Sequence, residues 1–65
     1  MVGETIRRAR QNKGWTQKQF GEKLGFKLEQ AQVMVARIES GTRPLPKNKI
    51  KLASVLLEVP IEELF

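Results

Sequence analysis

The chain has 65 residues, 40% apolar and 29% charged, with 12 Lys and Arg against 7 Asp and Glu and neither Cys nor His. One small domain fills that length, and without Cys or His it has no disulfide framework, zinc finger or haem ligand set. The bases all fall in residues 1–51, twelve against four acids for +8, while residues 52–65 carry Glu58, Glu62 and Glu63 and no base, for −3; a basic body of this kind suits a polyanion on one side.

Gly and Pro punctuate the chain at Gly14, Gly25, Gly41, Pro44, Pro46 and Pro60, and between them apolar residues recur at helical rather than alternating spacing. The first predicted helix covers residues 3–13, where Val2, Ile6 and Ala9 share a face and Gly14 is the stop. The second covers residues 16–24. Thr16 followed by Gln19 is a capping box, in which each side chain bonds the other's backbone N–H. Phe20 and Leu24 are its buried side, and Gly25 lets the chain reverse. The third carries a stripe of Leu28, Ala31, Val35 and Ile38 and ends at Gly41; with no good N-cap residue, its start falls anywhere from residue 27 to 31. Residues 43–46 form a loop. A fourth helix begins at Pro46 or Lys47 and carries Ile50, Ala53, Leu56 and Leu57. Pro60 is placed to open a short fifth helix over residues 60–65, because its missing N–H goes unpaired at a helix start. Trp15, Phe20, Phe26 and Ile6 are core candidates. No segment reads as a strand. The longest apolar runs, residues 33–36 and 55–57, are too short to cross a membrane. No charged segment leading into an apolar one opens the chain, so a cytoplasmic protein is expected.

Two short helices joined by a glycine-containing turn make a helix-turn-helix, whose second member can enter a major groove. Gly21 faces helix three where a larger side chain would hold the pair apart. The segments WTQKQFGEKLGF, VARIESGTRPLP and LASVLLEVPIEELF resemble the Cro/CI-type (XRE-type) phage-repressor DNA-binding domain, over residues 6–65. The resemblance implies an all-α, five-helix, lambda-repressor-like bundle, one helix-turn-helix domain over residues 1–65. Two departures stand out. Four extra residues, around 27–30, separate the turn glycine from the Ile38–Glu39 pair, which is close to one helical turn. They either extend helix three or form a longer turn. One extra residue lies near Leu57–Glu58.

Gln32, Val33 and Arg37 lie off the apolar stripe of helix three and are the base-reading candidates. Gln pairs with adenine, Arg with guanine, and Val packs on a thymine methyl. The competing reading makes Val33 and Met34 core or partner-facing. Thr16, Gln17 and Lys18, at the start of helix two, are phosphate-binding candidates; the resemblance places a backbone contact at Gln17, and free helix-end amides suit an anion. Thr42, Arg43 and Lys47, in and after the loop, are the second phosphate group by the same resemblance, with Lys49 as an alternative to Lys47. Arg10 and Glu39 resemble an inter-helix ion pair of the family; the other role for Arg10 is a phosphate contact.

The resemblance implies a sequence-specific double-stranded DNA-binding regulator, a repressor by type. One such module reads few bases, so a homodimer on a pseudo-palindrome is expected. Leu57, Val59, Ile61, Leu64 and Phe65 are the candidate dimer surface, or else close the monomer core. The alternative is a protein-interaction module, antitoxin-like or coactivator-like, with DNA contact secondary. No catalytic constellation, cofactor motif, metal set or small-molecule site is legible.

Overall fold

A computed structural model describes residues 2–65. Four α-helices follow in order: α1 (Val2–Asn12), α2 (Gln17–Lys23), α3 (Leu28–Ser40) and α4 (Lys47–Leu57). The chain ends in a 3-10 turn at Ile61–Leu64, and no strand occurs among the described residues. The expected fifth helix is therefore corrected to this single tight turn. Pro60 caps it from outside rather than opening it, and the Glu63 N–H donates to the Pro60 carbonyl at 3.0 Å. So few residues cannot repay the nucleation of an α-helix, whereas an i→i+3 turn needs fewer fixed dihedrals.

Each element has a local cause. At α2 the capping box is complete: Thr16 Oγ1 accepts from the Gln19 N–H at 3.0 Å, and Gln19 Oε1 accepts from the Thr16 N–H at 2.8 Å. Gly25 then takes φ +93°, a conformation open to Gly at little cost, and the chain turns toward α3. Residues 28–30 are helical, so the extra residues lengthen α3 by most of a turn. Glu58, at the second departure, is the one non-Gly residue with positive φ among those described. It terminates α4 in the left-handed conformation, with an ion pair to Lys13.

The core gathers Ile6, Phe20, Leu24, Val35, Ile38, Leu45, Ile50, Ala53, Leu57 and Leu64, so every element contributes. Trp15 stacks on Phe20 with ring centroids 6.1 Å apart, at the edge of that core. Leu57 and Leu64, expected as candidate dimer residues, are buried in the monomer. The apolar stripe of α3 is buried at Ala31, Val35 and Ile38 but not at Leu28, which is 62% exposed. Leu28 has the right helical phase, but the added turn carries it past the body of the molecule.

Candidate nucleic-acid interface

Three contacts fix how α3 is presented. First, α2 and α3 meet backbone against backbone at Gly21, where a Cβ would lie 2.5 Å from the Ala31 carbonyl oxygen. Second, Gly3 of α1 lies so close to the Glu39 carbonyl that no side chain fits between α1 and the end of α3. Third, Arg10 grips Glu39 with two nitrogens, Nε to Oε2 at 2.6 Å and Nη2 to Oε1 at 3.1 Å. Its remaining Nη1 donates to the Trp15 carbonyl at 2.8 Å, which ties down the chain entering α2. Both side chains of this pair are buried. A planar guanidinium matches a carboxylate in this bidentate form, so the pair fixes an angle between α1 and α3 as well as a distance.

Gln17 joins the same network: its Nε2 donates to Glu39 Oε1 at 3.1 Å. Arg7 Nε lies 4.0 Å from that oxygen, with the side chain half exposed. The first residue of α2 is thus bound to the last turn of α3, a link across 22 positions that sequence spacing does not reveal. Lys49, read as a phosphate candidate or a solvated charge, also has a structural contact. Its Nζ donates to the Leu24 carbonyl at 2.8 Å and sits 4.8 Å from the centre of the Phe26 ring. It caps the end of α2 from α4, so the turn between α2 and α3 is held from below.

The opposite side of α3 is uncovered. Glu29, Gln30, Gln32, Val33, Arg37 and Ser40 are exposed, while Met34 and Ala36 are intermediate. Val33 is 49% exposed, so it is not a core residue. Two shallow hollows flank this face. One is lined by Gln32 with Arg10, Thr16, Gln17 and Lys18, which brings a base-reading candidate beside the whole first phosphate group. The other is lined by Glu29, Gln30, Val33, Met34, Arg37 and Arg43. Arg43 is fastened there through its backbone, whose N–H donates to the Arg37 carbonyl at 3.2 Å; the Thr42 N–H donates to the same carbonyl at 3.0 Å. Thr42 Oγ1 lies 2.9 Å from Ser40 Oγ. Lys47 is not brought to either hollow. It stands on the rim of a separate apolar groove of about 590 Å³ between the loop, the start of α4 and the chain's C-terminal end.

The face of α3 therefore has Gln30, Val33 and Arg37 along it, with Lys18 on one side and Arg43 on the other. Such a surface suits a ridge of base edges flanked by two phosphate strands. No helix among the described residues is long and apolar enough to cross a membrane. A family model described as helix-turn-helix matches residues 6–64. No curated protein and no solved structure matches the chain.

Proposed function

Because the chain belongs to this helix-turn-helix family, of the Cro/CI type, whose members are DNA-binding regulatory domains, we propose that it is a sequence-specific transcriptional repressor that reads duplex DNA with α3. The observation that carries the proposal is the uncovered outer face of α3, set between Lys18 and Arg43 and braced from behind by the Arg10–Glu39 pair. In this reading Val33 and Arg37 face base edges, a thymine methyl and a guanine. Gln32 meets a base at the flank, next to the backbone contacts of Thr16, Gln17 and Lys18. Thr42 and Arg43 hold the other phosphate strand, and Lys47 reaches it from the start of α4. Arg10 and Glu39 position the helices and touch no DNA. The regulator acts in the cytoplasm.

The same proposal includes a homodimer on a pseudo-palindrome, with half-sites about 34 Å apart, one turn of DNA. Support comes from the apolar groove beside Lys47. It is lined by Leu45, Ile50, Ile61 and Phe65 among others, and Phe65 is 77% exposed at its edge. Lys51 stands on that groove and Glu62 and Glu63 on the segment that closes it, none of them in an ion pair among the described residues. Two copies related by a twofold axis can satisfy both signs at once. The groove equally favours a second reading, a partner-binding module with DNA contact secondary.

Selection from random duplexes at one fixed salt concentration separates the two. A repressor enriches a motif, and Arg37→Ala relaxes it at one position by about 1–3 kcal/mol. A pool that stays random at a salt concentration where binding is strong defeats the repressor reading and favours the partner module.

A further inference from the structure

The turn by which α3 exceeds the usual spacing places a side chain that neither the motif nor the stripe argument picks out. We propose that Gln30 is a base-reading residue, selecting an A·T pair about two to three base steps from the G·C pair taken by Arg37. The inference rests on the DNA-reading function above and adds part of the expected half-site.

Gln30, Val33 and Arg37 follow one another at spacings of three and four, so they form one stripe on the helix. All three are exposed and line a single hollow. Gln32 is off this stripe and lines the other hollow. The first three residues of α3, Leu28, Glu29 and Gln30, are all exposed. That end is the one a recognition helix brings to base edges.

The chemistry at this end favours bases over backbone. The Gln30 side-chain amide has no hydrogen-bond partner among the described residues. One N–H and one carbonyl oxygen are thus free for the N7 and N6 of adenine, a bidentate match. Glu29 beside it, exposed and anionic, repels phosphate and leaves this end of the hollow to base edges.

Geometry then sets the pattern. At 1.5 Å per residue, Gln30 and Arg37 lie about 10 Å apart along the axis of α3, and a helix inclined in the major groove spans about two to three base steps over that length. Val33 falls between them, so a thymine methyl is expected between the A·T and G·C positions.

The test repeats the random-duplex selection with Gln30→Ala and Gln30→Glu beside the wild-type chain. The wild type should enrich an adenine about two to three steps from a guanine. Gln30→Ala should lose about 5- to 150-fold preference at the adenine alone. Gln30→Glu should move the preference there to cytosine, whose N4 amine donates to a carboxylate. A wild-type motif left unchanged by both substitutions overturns the role of Gln30 while the repressor reading stands. A wild-type pool with no motif removes the repressor reading and this inference together.

Discussion

At the scale of single residues, Arg10 and Glu39 decide the most. Their pair is buried, and burying two charges costs desolvation that the attraction between them only roughly offsets. Its value lies in orientation, since it holds α1, the entry to α2 and the last turn of α3 in one arrangement. Removing Arg10 leaves the buried Glu39 carboxylate with only the Gln17 amide and the half-exposed Arg7 beside it, which costs up to about 3–5 kcal/mol. A domain of this size has about 3–10 kcal/mol in total. Urea unfolding should therefore find Arg10→Ala close to unfolded, while the double change Arg10→Met with Glu39→Leu recovers most of the loss. A single-variant cost below about 1 kcal/mol, the range of surface pairs, would contradict this. The pairing partner of Arg10 was legible in sequence through the family resemblance. The recruitment of Gln17 by Glu39, and of Lys49 by the Leu24 carbonyl, was not, because neither leaves a local trace in spacing or composition.

At the scale of elements, α2 and α3 show what the sequence encodes and where it stops. The capping box and the glycine stops name α2 to within a residue, because caps and left-handed turns are local chemistry. The start of α3 lacked such a signal: Lys27 is its N-cap without a side-chain bond. The apolar stripe then over-read the core by one position. Periodicity reports which side of a helix an atom is on, but not whether a neighbour is there to cover it. Leu28 has the phase of Val35 without its burial. Leu28→Gln should accordingly change stability by no more than about 0.5 kcal/mol, as at an ordinary surface site. Val35→Ala should cost about 2–3 kcal/mol, from lost burial plus a cavity. Thermal unfolding of the two variants, compared with wild type, distinguishes a protruding first turn from a buried one; equal losses would place Leu28 in the core. The closing segment was over-read in the other direction. Pro60 at a helix-start position suggested a helix, but a chain so short settles into one turn of 3-10 helix whose Leu64 still reaches the core.

At the scale of the whole molecule, one basic domain carries two surfaces with different characters, the polar outer face of α3 and the apolar groove at the C-terminal end. The charge asymmetry was visible in the sequence, but the groove was not, because it joins Val2, the loop and Phe65 across the length of the chain. If the groove joins two copies, sedimentation of the free protein should show concentration-dependent dimers. Phe65→Ser should weaken them tenfold or more, since truncating a buried aromatic anchor typically costs over 1.4 kcal/mol. A sedimentation profile identical in both proteins would exclude the groove as the joint. The central claim, that the outer face of α3 enters duplex DNA, is tested most directly by a nuclear magnetic resonance titration with an enriched duplex. The Val33 methyls should show cross-peaks to thymine methyls or other major-groove protons, while the Ile50 and Leu64 methyls show none. Contacts to DNA confined to other elements, with Val33 and Arg37 unperturbed, would contradict the account.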